Sequence, residues 1–382
     1  MAAEPKLRLR KPLERTIQEG HPWVYRDAVE GEAPPGSVAA LVDRRGCFLA
    51  RGIADRGPIA LRVWTTREEP LDADLVRARM QRAAALRKAL SLGDTTAWRA
   101  LHGEGDRTPG VVVDRYGTDE GVFAVVRLDG AVAGLRWLVD AVAASLDADG
   151  VLVKRRRGAE VELWRGRKPP PRVAVRERGM RLLADLHRGQ KTGLFLDHRE
   201  SRARVRALAA GRRVLNLYGY TGGFSVAAGL GGATRVVTVD VAQPAVAMAQ
   251  ATWEANALPD THRAVAEDAP TFLARDTRRW DLIVADPPSF APNERSKPAA
   301  LEAYAKLHAA CLGRLAQGGL YLAASCSSHV NGEDFLATLR AGAQRARQTL
   351  QILERGAAPA DHPRLVCFPE GDYLKVVLAR PC

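Results

Sequence analysis

The hydrophobic pattern changes character near residue 180. Beyond it, four unbroken apolar runs stand out: R-V-L-N-L-Y, V-V-T-V-D, D-L-I-V-A-D and G-L-Y-L-A-A-S. Strands with one wet face alternate apolar and polar residues, so unbroken runs predict strands covered on both faces. Helical stretches lie between them, and this strand–helix alternation predicts a parallel, doubly wound α/β sheet. Before residue 70 the runs are shorter (V-A-A-L-V, C-F-L-A-R-G-I-A, I-A-L-R-V-W) and are cut by Gly, Pro and Asp, which predicts a small β-barrel. Leu71–Leu92 reads as a helix with Leu75, Met80, Leu86 and Leu90 on one side. Strand-like V-V-V-D-R-Y, F-A-V-V-R-L and V-L-V-K then flank a second helical stretch, giving an α+β middle region that closes at P-P-P, residues 169–171. Three domains are expected, at 1–70, 71–178 and 179–382.

Charge narrows the partners. The 382 residues carry 57 Lys+Arg against 44 Asp+Glu, a net charge of +13. Such a balance favours a polyanion, and Arg adds bidentate phosphate contacts. Between Lys154 and Arg181 eleven basic residues face three acidic ones, including Arg155, Arg156 and Arg157, so this stretch is the expected phosphate track. No run approaches the ~18 apolar residues that span a bilayer. Five scattered cysteines without metal-ligand spacing predict reduced thiols, no metal site and a cytoplasmic location, with no membrane partner.

The candidate chemistry lies at the strand ends. The first run opens directly into Y-G-Y-T-G-G-F-S, where Tyr218, Tyr220, Thr221, Gly222, Gly223 and Phe224 form a glycine turn leading into a helix. Glycines there let a backbone approach a ligand closely. Asp240 ends the second run and is placed to accept ribose hydroxyls; Asp268, where a third strand should end, is placed for an adenine amino group. These features fit a dinucleotide or S-adenosylmethionine equally. The fourth run decides between them, because D-P-P-S-F sets Asp286 on a rigid corner made by Pro287 and Pro288, with Phe290 as a stacking face for a flipped base. Cys326 ends the fifth run, and neighbouring parallel strands lie about 5 Å apart, so both side chains can reach one pyrimidine. A thiolate adding to cytosine C6 while Asp286 supplies a proton or hydrogen bond at N3 makes C5 an enamine carbon that attacks a sulfonium methyl. Ser325, Ser327 and Ser328 are expected to stabilise the thiolate, and His329 reads as a polar loop residue. Methylation of a purine nitrogen by an rRNA enzyme, and a non-catalytic RNA-binding assembly factor, are the competing readings.

In these motifs the chain resembles the RlmI-type large-subunit ribosomal RNA cytosine-C5 methyltransferases. The likeness runs through H-P-W-V-Y (21–25), L-A-R-G-I-A (49–54), H-G-E-G-D-R-T-P-G-V-V-V-D-R-Y-G (102–117), G-Q-K-T-G-L-F-L-D-H-R (189–199), Y-T-G-G-F, D-P-P-S-F and S-C-S. The resemblance implies an N-terminal PUA domain for RNA, a Rossmann-like class I methyltransferase domain, and 23S rRNA as partner. It also implies S-adenosyl-L-methionine as cofactor, Cys326 as nucleophile and Asp286 beside it. The cofactor would lie on the 220–224 turn, Asp240 and Asp268, with Lys191, Thr192 and Asp197 near. Asn216 stands where the family's first strand ends on Asp, and His198 where it has Gln. A homodimer is left open.

Overall fold

The computed structural model describes residues 4–155 and 161–382, and the chain falls into two compact units. The first comprises Met1–Val173, Asp185–Phe195 and Ala360–Gly371. It holds a six-stranded sheet in the order Trp23–Tyr25, Ile59–Thr65, Phe48–Ala54, Val38–Val42, Lys6–Leu9, Val29–Glu30. Leu7, Leu9, Ile17, Val24, Leu41 and Leu61 fill its core. A second, five-stranded sheet runs from Ala97 to Gly166 and packs with helices Ala73–Ala89 and Arg136–Ala144. The first of these helices starts where the Asp72 carboxylate accepts the backbone N–H of Asp74 and Leu75, which satisfies two donors that have no partner inside the helix. Its buried stripe is Val76, Met80, Ala83 and Arg87, so Leu86, expected inside, faces out. Arg87 takes the inner position because the Asp106 carboxylate receives two of its N–H groups, at 2.8 and 2.7 Å.

The second unit, Ala174–Ala184, Leu196–Pro359 and Asp372–Cys382, carries the parallel sheet expected from the unbroken runs. Its strands are β1 (Arg213–Leu217), β2 (Arg235–Asp240), β3 (His262–Ala266), β4 (Trp280–Ala285), β5 (Leu315–Ser325), β6 (Leu350–Gly356) and β7 (Lys375–Pro381). They lie in the order β3-β2-β1-β4-β5-β7-β6. The first five strands are parallel, and β7 enters antiparallel between β5 and β6. The helices are α1 (Arg199–Leu208), α2 (Gly223–Leu230), α3 (Gln243–Glu254), α4 (Ala269–Arg275), α5 (Lys297–Leu312) and α6 (Gly332–Arg345). Leu215, Leu217, Val237, Ile283, Tyr321, Ala323 and Val377 form one buried cluster with Phe272, Tyr304 and Phe335.

Register sets the functional edge. Leu217 pairs with Ala285, and Ala285 pairs with Ala323, so β1, β4 and β5 reach their carboxyl ends together. In open α/β sheets that edge, where strand order reverses beside β1, is where ligands bind. Among the described residues no helix is long and apolar enough to cross a membrane.

Candidate functional site: the carboxyl edge of the parallel sheet

The turn after β1 is built for close approach. Tyr218 and Tyr220 adopt φ of 58° and 46°, and Gly222 follows at 80°. Left-handed backbone at a residue with a side chain costs on the order of 1–3 kcal/mol and persists where its surroundings enforce it. Here the enforcement is visible. The Gly219 N–H donates to Val239 O, the Gly222 N–H to Gly219 O, and the Tyr220 N–H to Asp240 Oδ2 at 2.9 Å. A Cβ on Gly219 would lie 2.3 Å from Thr238 Cγ2, and one on Gly222 2.9 Å from the Ala249 Cβ. Thr221 and Phe224 are buried beneath this turn, and Tyr218 packs against the sheet core, its phenol pushed upward by burial.

Asp240, at the end of β2, accepts the N–H groups of Tyr220 and Ala242, one on each oxygen. It thereby ties the glycine turn to the start of α3. Asp268 caps α4, accepting from the Thr271 N–H and hydroxyl at 3.2 Å, and is exposed. Asn216 is 1% exposed; its amide donates to Ser225 Oγ at 2.9 Å and its Oδ1 has no hydrogen-bond partner. A buried carbonyl with an open lone pair beneath a glycine cradle is what a cofactor carrying an ammonium group requires, so the residues present fit S-adenosylmethionine.

At the other side of the edge, two loops are clasped. The Ser289 hydroxyl meets Ser327 Oγ at 3.0 Å, and the Tyr304 hydroxyl meets Ser325 at 2.9 Å and Ser327 at 3.0 Å. Phe290 lies 4.8 Å from the Tyr304 ring, centroid to centroid. The segment carrying Asp286 is therefore fixed to the segment carrying Cys326. Burial raises the pKa of the Tyr304 phenol, and Cys326 and Asp286 both add to the shift, so both groups lie within electrostatic reach of one hydroxyl. The hydroxyls of Ser325 and Ser327, expected at the thiol, serve this clasp, while Ser328 is exposed. Pro287 is buried and stiffens the corner.

Two residues that sequence reasoning left without a role complete the site. His198, 3% exposed, sits at the start of α1 with Nε2 3.0 Å from Asp286 Oδ2 and its ring edge-on to Phe224 at 5.3 Å. Burial is the largest influence on this imidazole and opposes a proton, yet Asp286 and Asp197 outweigh it and hold its pKa above 6.5. Asp197 is buried and accepts from the Tyr373 hydroxyl at 2.8 Å. Lys375, which pairs with Ser325 across β5 and β7, buries its ammonium against Ser327 O at 2.6 Å and Tyr373 O at 2.8 Å. Burial pulls its pKa down to about 8, and Cys326 is the foremost group drawing it back up.

Lys191 and Thr192 belong to the first unit. There Thr192 is buried and bonded to Asp114 and Tyr116, and the Lys191 ammonium stands 4.5 Å from the Phe195 ring centre. Arg155 donates to Ala133 O, pairs with Glu162 and lies over Trp164 at 5.0 Å, so its charge is partly spent inside the protein. Lys154 is buried and donates to Gly189 O. Arg156 and Arg157 lie outside the described residues. His329 meets Glu294 on the surface at 3.2 Å.

A family model for S-adenosylmethionine-dependent methyltransferases matches residues 131–379, and one for PUA-like domains matches residues 7–66. A ribosomal RNA large subunit methyltransferase of Deinococcus radiodurans is 37% identical, covering 98% of each chain. Ribosomal RNA large subunit methyltransferase I of Erwinia tasmaniensis is 35% identical over 97% of this chain and 98% of its own. Among solved structures, a methyltransferase in complex with S-adenosylhomocysteine matches at a TM-score of 0.88 and 24% identity, covering 99% of this chain and 100% of that one. An S-adenosylmethionine-dependent methyltransferase from Streptococcus mutans matches at 0.87 and 24%, with the same coverage; both likenesses speak to the fold. The chain therefore belongs to the S-adenosylmethionine-dependent methyltransferase family, in the RlmI-type branch that carries a PUA-like domain at its N-terminus.

Proposed function

We propose that this methyltransferase acts in the cytoplasm on the large-subunit ribosomal RNA and forms 5-methylcytosine through a thiolate adduct. The observation that carries the reading is the clasp, which ties the loop of Asp286 to the loop of Cys326 at adjoining strand ends. The relatives named for rRNA support the substrate class, and the +13 charge suits a polyanion.

S-adenosylmethionine supplies an electrophilic methyl on a sulfonium. The Cys326 thiolate adds to C6 of the cytosine, and N3 takes a hydrogen bond or proton from the Asp286 carboxyl. The electron pair displaced toward C5 forms the new bond to the methyl carbon, leaving neutral S-adenosylhomocysteine. The C5 proton then passes to water, the C6–S bond breaks, the thiolate is restored and N3 returns its proton. His198, paired with Asp286 and held above its ordinary pKa, is the proton store behind that carboxyl. The Lys375 ammonium, held at the carbonyl of the residue following Cys326, favours the anionic sulfur. Asp240, Asp268 and the 218–224 turn are assigned to the cofactor, with Lys191, Thr192 and Asp197 as further cofactor-side residues. Phe290 and Pro287 are assigned to the base, and Arg155–Arg157 to phosphate.

Bisulfite sequencing of large-subunit rRNA from cells with and without the gene tests the reading. One cytosine should lose its protection in the deletion and regain it with wild-type enzyme; unchanged protection refutes the proposal. Cys326→Ser separates it from methylation of a purine nitrogen, which would survive the loss of the thiol.

A further inference from the structure

The polar residues behind the glycine turn form a single chain that starts at the surface. Gln250 Nε2 donates to the Glu254 carboxylate at 2.9 Å, both on α3. Gln250 Oε1 faces His262 Nδ1 at 3.2 Å, His262 Nε2 faces Thr238 Oγ1 at 2.7 Å, and Thr238 Oγ1 faces Ser225 Oγ at 2.6 Å. Ser225 Oγ receives the Asn216 amide at 2.9 Å. Thr238 and Ser225 are fully buried, and the indole of Trp253 stacks on His262 at 4.6 Å.

Each link determines the next. A carboxylate only accepts, so Gln250 must give Glu254 its NH2 and turn its carbonyl toward His262. His262 therefore carries its proton on Nδ1 and offers a bare Nε2. Burial pushes this imidazole down to about 4, so it is neutral at physiological pH and has one proton to place. Thr238 donates to Nε2 and so accepts from Ser225, which in turn accepts from the Asn216 NH2. The carbonyl Oδ1 of Asn216 is thereby left as the acceptor end of the amide, buried and without a partner.

We infer that Glu254, Gln250, His262, Thr238 and Ser225 act as a one-way hydrogen-bond relay that fixes which end of the Asn216 amide is offered to the cofactor's ammonium. The five are positioning residues, since none is assigned a contact with the cofactor. A neutral Asn can serve where an Asp needs no orientation, because the relay removes the amide's ambiguity: both oxygens of a carboxylate accept, whereas a flipped amide would present NH2 to a cation. The inference depends on the cofactor alone and stands whichever atom of the RNA is methylated.

Reversing the sign at the surface end tests it. In Glu254→Lys the new ammonium donates to the Gln250 carbonyl, the amide turns over, His262 shifts its proton to Nε2 and every later bond reverses. Asn216 then presents NH2. Calorimetry with S-adenosylhomocysteine should show binding at least ten-fold weaker, with the melting temperature little changed. Adding Asn216→Asp should restore affinity, because a carboxylate accepts from Ser225 and from the ammonium together. A purely structural network predicts no such rescue. The unaltered protein gives an independent reading: 15N NMR of the His262 ring should show the Nδ1–H tautomer. An Nε2–H tautomer, wild-type affinity in Glu254→Lys, or a double variant no better than the single one would each overturn the relay.

Discussion

Replacing Lys375 with Met keeps the length of the side chain and removes its charge. The ammonium is nearly enclosed, touching Ser327 O and Tyr373 O, and burial brings its pKa from 10.5 to about 8. Each unit is worth 1.36 kcal/mol, so the 2.5-unit drop amounts to about 3.4 kcal/mol of penalty for charge at that place. The sign follows from linkage. Between pH 8 and 10.5 the folded protein releases this proton while the unfolded chain keeps it, so stability contributed by Lys375 rises with pH across that window. Below pH 8 both states are protonated and the penalty is present in full. Urea unfolding of wild type and Lys375→Met at pH 7 and pH 10 should therefore differ in their pH response by about 2.5 kcal/mol, with wild type gaining relative to the variant. Among the groups that draw this pKa back up, Cys326 comes first. Mass spectrometry of iodoacetamide labelling at the Cys326 peptide should show alkylation at pH 7 slowed at least ten-fold in the variant. Parallel pH–stability curves together with unchanged alkylation would refute both halves of the reasoning.

The clasp and the turn yield further expectations. Tyr304→Phe removes the hydroxyl shared by Ser325 and Ser327, and should cost about 1–3 kcal/mol in urea unfolding while slowing methyl transfer more than it weakens S-adenosylhomocysteine binding. His198→Gln can still donate to Asp286 but holds no transferable proton, so turnover should fall at least ten-fold at pH 7. Wild-type activity should decline as pH rises through the elevated His198 pKa, and the variant should lack that decline. Gly219→Ala would bring a methyl 2.3 Å from Thr238 Cγ2, and calorimetry should find S-adenosylhomocysteine binding lost.

What could be seen in advance was whatever is local in the chain. Unbroken apolar runs marked β1, β2, β4 and β5, and residues at strand ends (Asp240, Asp286, Cys326) were legible because a parallel sheet delivers its carboxyl ends to one edge. Partners brought in by topology were not. Lys375 reaches the carbonyl of Ser327, next to Cys326, only because β7 inserts antiparallel beside β5, and nothing in Y-L-K-V-V-L distinguishes that lysine from an ordinary strand-end charge. His198 was visible as an odd residue in G-L-F-L-D-H-R, but its pairing with Asp286 depends on α1 lying against the sheet edge. The serines around Cys326 were expected at the thiol, and two of them meet the Tyr304 hydroxyl of α5, a partner that the local sequence does not show. Counting charges from Lys154 to Arg181 could not reveal that Lys154 is buried or that Arg155 is already paired with Glu162. The relay behind Asn216 joins four segments, and its order exists only in three dimensions.

The claim on which the chemistry rests is the bond between Cys326 and C6 of a cytosine. Large-subunit rRNA transcribed with 5-fluorocytidine, incubated with enzyme and S-adenosylmethionine, tests it directly, because fluorine at C5 leaves no proton to lose and the adduct cannot resolve. Digestion and mass spectrometry should find a methylated fluorocytosine attached to the peptide containing Cys326, formed only when the methyl donor is present. Turnover on unmodified RNA with no such adduct on the fluorinated transcript, or an adduct on another residue, would contradict the account.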